Sequence, residues 1–134
     1  FFSDPRHLTC LLHALPEVRL HLDYGHTNLR VPANVADMIL AAHGSRLQHV
    51  HVHDNVGRDD LHLPLGAGTL DITEMVTTLK KCGYDSTITL EVFARENGYL
   101  AYSREVLRAF WDREDPERLS INGRAGRSSQ TRPG

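Results

Sequence analysis

Several residue types are scarce in this chain. Its 134 residues include only two cysteines, two methionines, one tryptophan and 7% aromatic residues, and neither sign of charge dominates, with 15 Lys and Arg against 17 Asp and Glu. Cys10 and Cys82 stand far apart in helical patterns, which excludes a disulfide framework and a paired-cysteine metal site. They read as reduced, buried thiols of a cytoplasmic protein. A net charge of −2 with histidine neutral lacks the basic footprint of a dedicated nucleic-acid binder. No stretch approaches the roughly 20 apolar residues of a membrane span, and no basic-then-apolar leader precedes the first helical pattern. The chain opens on Phe1 rather than methionine, as a piece of a longer protein would. What is plentiful is histidine, nine in all. Three of these alternate in the stretch His-Val-His-Val-His-Asp-Asn at positions 49–55.

Helical and strand patterns also alternate. Asp4 and Pro5 offer an N-cap and a first-turn proline to an amphipathic helix whose apolar face is Leu8, Leu11, Leu12 and Leu15, closed by Pro16. A strand comes next over 18–23. Pro32 opens a second helix with Val35, Met38, Ile39 and Ala42 on one face and Gly44 as its C-terminal cap. A second strand covers 47–53. After the loop "LPLGAG", Asp71 and Glu74 form an aspartate variant of the capping box ahead of Ile72, Met75, Val76 and Leu79, and Gly83 ends that helix. The third strand covers 87–93 and the last helix 99–111. From about 115 to 134 the chain turns to Arg, Ser, Gly and Pro without period, which predicts one domain over 1–114 and then a disordered tail.

Strands separated by helices predict a parallel α/β sheet. Each strand has an aliphatic face (Val18, Leu20, Leu22; Val50, Val52; Ile88, Leu90, Val92). Each also has a polar one (Arg19, His21, Asp23; His49, His51, His53; Thr87, Thr89, Glu91). A lone strand of this kind fits a sheet with one wet face. Parallel sheets, however, are covered on both faces, so the polar residues are expected to look into a barrel or cleft, where strand C-terminal ends line the site.

The segments "LDYGHTN", "HVHDN", "DLHLPLGAG" and "ITLEVF" resemble successive motifs from the C-terminal half of the xylose-isomerase-like barrel superfamily. That superfamily includes sugar (phosphate) isomerases and epimerases and the apurinic endonucleases of the endonuclease IV class, family 2. The resemblance covers roughly residues 1–112. It implies a (β/α)8 TIM barrel of which this chain carries about the last three strands and their helices. The opening "FFSDP" resembles the segment just after the fifth strand, so the metal-binding glutamate of that strand would lie just before Phe1.

The resemblance also implies a site. Asp23, His51 and Glu91 match three of the four ligands of the shared divalent-metal centre. Two carboxylates and an imidazole suit Mn²⁺, Mg²⁺, Co²⁺ or Zn²⁺ without choosing among them. His26 matches a histidine that contacts substrate in the isomerases and binds an additional zinc in the endonucleases. Asp60 and His62 match the D-x-H pair completing that extra site. Glu91 and His26 are therefore the expected catalytic groups. Arg58 is a candidate for a substrate phosphate. His49 and His53 read as interior or supporting groups rather than ligands, His7, His13 and His43 as solvated helix residues, and Gly66 and Gly68 as a turn rather than a phosphate cradle.

The resemblance implies three functions. The first is a metal-dependent isomerase or epimerase of a small sugar or sugar phosphate working through an enediolate. The second is an endonuclease IV-like zinc phosphodiesterase on abasic DNA, using Asp23, His26, His51, Asp60, His62 and Glu91. The third is a truncated barrel inactive alone. The expected partners are the sugar, the remainder of the barrel and, with two sheet edges open, a second copy of the chain. Nucleic acid enters only under the second function, and no membrane is expected.

Overall fold

Three parallel strands in the order β1-β2-β3 form the sheet: β1 Leu20–Asp23, β2 Leu47–Val52 and β3 Ile88–Leu90. The computed structural model describes residues 5–29 and 34–113. The expected cap at Asp4, the helix opening at Pro32 and the tail over 115–134 lie outside the described residues. Helix α1 (Pro5–Ala14) precedes β1, a single turn α2 (Tyr24–Thr27) comes after it, and α3 (Val35–His43) crosses back to β2. Helix α4 (Ile72–Lys81) connects β2 to β3, and α5 (Gly98–Trp111) closes the described chain. None of the described helices is long and apolar enough to cross a membrane.

The core lies on the aliphatic side of the sheet. Leu20, Leu22, Val50 and Val52 are buried beneath Leu8 and Leu12 of α1, Val35, Ala36, Ile39 and Leu40 of α3, and Ile72, Met75, Val76 and Leu79 of α4. Burying each large aliphatic side chain contributes about 1.5–3 kcal/mol, and this face holds the helices to the sheet. Asp71 accepts the Glu74 amide at 2.9 Å to start α4, and Gly83, with φ of 73°, lies just past its end. Both features match the sequence expectation.

Several expectations are corrected. The inward face of α3 is Val35, Ala36, Ile39 and Leu40, whereas Met38 and Ala42 are exposed; their spacing fits a helix face, but a face one position round packs on the sheet. Gly44 does cap α3, with right-handed φ and ψ, and leads into a 3-10 turn over Gly44–Arg46. Strand β1 begins two residues later than expected because the Val18 carbonyl is taken by the Arg46 guanidinium, which also reaches the carbonyls of Leu12 and Leu15. Strand β3 is shorter than 87–93 because its partner β2 stops at Val52, although the Glu91 amide still donates to the Val52 carbonyl at 3.0 Å. Leu15 is exposed, as is Cys10, so only Cys82 of the two free thiols is even partly buried.

Candidate metal centre

The polar face carries its functional groups at the C-terminal ends of the strands. Asp23 is the last residue of β1, and one of its carboxylate oxygens accepts the His26 amide at 3.1 Å, so it caps the turn that projects His26. His51 lies in β2, His53 sits just past the end of that strand, and Glu91 just past β3. Asp60 and His62 sit on the loop between β2 and α4.

These side chains form two sets. The candidate ligand atoms of Asp23, His51 and Glu91 all lie within 4.8 Å of one another, and so do those of His26, His53, Asp60 and His62. An ion with bonds of about 2.0–2.3 Å spans up to roughly 4.5 Å between opposite donors. Each set is therefore at the scale of one coordination sphere. The sets are joined by alternating acids and imidazoles. His26 Nδ1 is 3.2 Å from Asp23 Oδ2, His26 Nε2 is 3.1 Å from Asp60 Oδ2, and His62 Nε2 is 3.2 Å from Asp60 Oδ1. His51 Nδ1 meets Glu91 Oε1 at 2.8 Å.

His62 is held unusually firmly. Its Nδ1 lies 2.9 Å from the Glu91 carbonyl oxygen; a carbonyl only accepts, so Nδ1 donates, and Nε2 is the nitrogen turned to the cluster. Backbone-anchored histidines of this kind are the usual metal-ligating form. The ring is stacked between His53, centroids 3.8 Å apart, and Phe93, centroids 4.2 Å apart. Its φ of 48° is left-handed, a conformation costing about 1–3 kcal/mol that persists where surroundings enforce it.

His53, expected as an interior or supporting group, is interior and also stands among the candidate donors. It is completely buried, and its Nε2 makes no hydrogen bond among the described residues. That atom lies 3.6 Å from Asp23 Oδ1 and 3.5 Å from Asp60 Oδ1. A buried polar atom without a partner costs about 1–3 kcal/mol. An imidazole nitrogen buried between two carboxylates calls for positive charge at that point, which a bound cation would supply, so these donors fit a divalent ion. The signal was present in the strand, since His53 shares parity with His51, and in Gly25. A Cβ at position 25 would lie 2.1 Å from His53 Nε2. Gly25→Ala should displace the His53 ring, destabilise the fold by about 1–3 kcal/mol and weaken Co²⁺ binding at this set, measured by urea denaturation and by the cobalt absorption spectrum. Unchanged values for both would show that the ring is not seated there.

Electrostatics match the crowding. Burial raises the Asp60 pKa, but the hydrogen bond from His26 and the nearby His26, His62 and His53 outweigh it, so the carboxyl titrates below its usual range. His21, lower on the same face with its ring centroid 4.1 Å from that of His51, is pushed below the ordinary imidazole value by desolvation and then by His51 and His49. His49 is tied to Thr89 at 2.9 Å and Thr87 at 3.2 Å and belongs to neither set. Arg58 joins neither set; its guanidinium pairs with Asp59 at 2.9 Å on the surface. His7 and His13 are exposed, whereas His43 is half-buried and bonded to Thr9 at 2.8 Å.

A sequence model of the xylose isomerase-like TIM barrel family matches residues 1–111. The chain belongs to this family. Among relatives of this xylose isomerase-like chain, the Methanocaldococcus jannaschii protein MJ1311 is 41% identical over 71 residues, which are 52% of this chain and 24% of that protein. MJ1614 of the same organism is 30% identical over 81 residues, 60% of this chain and 31% of that protein. A crystal structure described as a D-tagatose 3-epimerase-like protein superposes with a TM-score of 0.64 at 26% identity, covering 92% of this chain and 44% of that one. The chain thus spans under a third of these curated relatives and under half of the solved protein. Its three parallel strands and their helices are part of a TIM barrel.

Proposed function

We propose that this chain supplies the C-terminal, metal-holding part of a barrel that isomerises or epimerises a small sugar or sugar phosphate. The observation that carries this reading is the convergence of Asp23, His51 and Glu91 on one point at the C-terminal ends of three adjacent parallel strands, where TIM barrels place their chemistry. Likeness to the D-tagatose 3-epimerase-like protein supports the choice of sugar chemistry. A divalent ion held by these three side chains, with a further ligand from the remainder of the barrel, would supply charge stabilisation for oxygens on adjacent substrate carbons. Glu91 would take the carbon-bound proton on its carboxylate and return it, a role worth about 10² to 10⁴ in rate. His26, exposed between Asp23 and Asp60, would hydrogen-bond a substrate hydroxyl. The free thiols of Cys10 and Cys82 suit a reducing, cytoplasmic setting.

A second reading, zinc-dependent hydrolysis of abasic DNA, is favoured by one observation: His26, His53, Asp60 and His62 form a further donor set beside the first. The test is turnover by a protein carrying the whole barrel, loaded in turn with Mn²⁺, Mg²⁺, Co²⁺ and Zn²⁺. Deuterium incorporation into ketoses or their phosphates is the expected result. Cleavage of abasic duplex DNA without turnover of any sugar would replace the first reading with the second.

A further inference from the structure

From its place beneath the loop that carries Asp60 and His62, we infer that Asp54 is a positioning residue, an internal anion that fixes this loop against the sheet. Asp54 is completely buried and belongs to neither donor set. One oxygen, Oδ1, accepts the amides of Asn55 at 2.8 Å and Leu70 at 3.0 Å, and Oδ2 accepts those of Gly66 and Gly68, both at 2.9 Å. Four main-chain N–H groups on one carboxylate form the kind of nest that elsewhere holds a phosphate. Here the protein's own side chain fills it. Gly68 is required by that contact, because a Cβ there would lie 2.3 Å from Asp54 Oδ1 and 2.2 Å from the Asn55 carbonyl oxygen.

The same residue ties the loop at its other end. The Asp54 amide donates to the Leu63 carbonyl at 3.0 Å and the Leu63 amide donates back at 2.8 Å, an isolated antiparallel bridge. His62, with its left-handed backbone, immediately precedes that bridge. Ser103 of α5 completes the clamp: buried, its hydroxyl donates to the Tyr99 carbonyl at 2.8 Å and accepts the Leu65 amide at 3.1 Å. Asp54 therefore couples the end of β2, which bears His51 and His53, to the segment that bears Asp60 and His62. An asparagine in its place would keep the shape, but would aim an NH₂ group at two N–H donors and leave at least one of the four amides without an acceptor.

The inference rests on the metal-centre reading for its consequence but not for its geometry, and its test separates the two. In the full chain, Asp54→Asn should accelerate hydrogen exchange at the amides of Gly66, Gly68 and Leu70 while leaving exchange at Leu22 and Val50 unchanged. It should also shift the His62 imidazole resonances. Co²⁺ affinity at the His26, His53, Asp60 and His62 set should fall about 10-fold or more, the scale for losing an outer partner of a metal ligand, with the Asp23, His51 and Glu91 set unaffected. Gly68→Ala, which perturbs the nest from its other wall and retains Asp54, should give the same local pattern if Asp54→Asn fails to fold. Unchanged exchange at the three amides would overturn the inference, as would equal loss of affinity at both sets with uniformly faster exchange. If the wild type binds no metal but the local exchange and His62 shifts appear, the metal reading fails and the role of Asp54 stands.

Discussion

Glu91→Gln in a protein carrying the complete barrel should abolish solvent-deuterium exchange into the sugar, a loss of at least about 10² to 10⁴ in rate. Glutamine keeps the size of the side chain, and the main-chain carbonyl that accepts His62 Nδ1 at 2.9 Å is untouched. What disappears is the charge and basicity of the carboxylate that faces His51 Nδ1 at 2.8 Å. An amide neither accepts the carbon-bound proton nor contributes charge to a cation set, so both expected roles fail together. The companion variant is His62→Ala, which removes a donor from the second set only. If the reaction is proton transfer on a sugar, His62→Ala costs far less than Glu91→Gln, because Asp23, His51 and Glu91 remain together. If it is hydrolysis of a phosphodiester, the two variants are nearly equal in damage. Retention of deuterium exchange by Glu91→Gln would remove Glu91 from the chemistry.

The parity of the strands was readable because side chains alternate strictly across a pleated sheet. Once helical connections force the strands to be parallel, Leu22, Val50 and Val52 must pack under helices, and Asp23, His51 and Glu91 must gather on the other face. Helix α4 was readable for a similar local reason, since Asp71 and Glu74 cap it within four residues of sequence. What escaped depends on contacts between distant segments. Strand β1 is shortened by Arg46, 28 residues away. The packed face of α3 is decided by the sheet beneath it, not by the spacing that made Met38 and Ala42 look inward. The seat of His53 against Gly25 and beside Asp23 likewise joins segments about 30 residues apart. Asp54 comes directly after three histidines of interest; its role depends on "LPLGAG" wrapping back over the end of β2.

Divalent cations should stabilise the folded chain, and chelation should reverse the effect. The carboxylates of Asp23, Asp60 and Glu91 are crowded around the imidazoles of His26, His51, His53 and His62. Without a cation, His53 Nε2 stays buried without a hydrogen-bond partner among the described residues. An ion that binds only the folded form adds about 2.7 kcal/mol at a concentration 100 times its Kd, which in a domain of this size raises the thermal midpoint by roughly 5–20 °C. Zn²⁺ or Mn²⁺ should therefore raise the midpoint and EDTA should lower it again. Asp23→Ser isolates the cause. Serine is as good an N-cap as aspartate, so it preserves the bond to the His26 amide that starts α2, while removing the carboxylate from the first set. Its metal-free midpoint should lie close to that of the wild type, with most of the increase on adding metal gone. A wild-type midpoint indifferent to both metal and chelator, or an Asp23→Ser variant that responds as fully as the wild type, would show that these acids and histidines gather without an ion to hold.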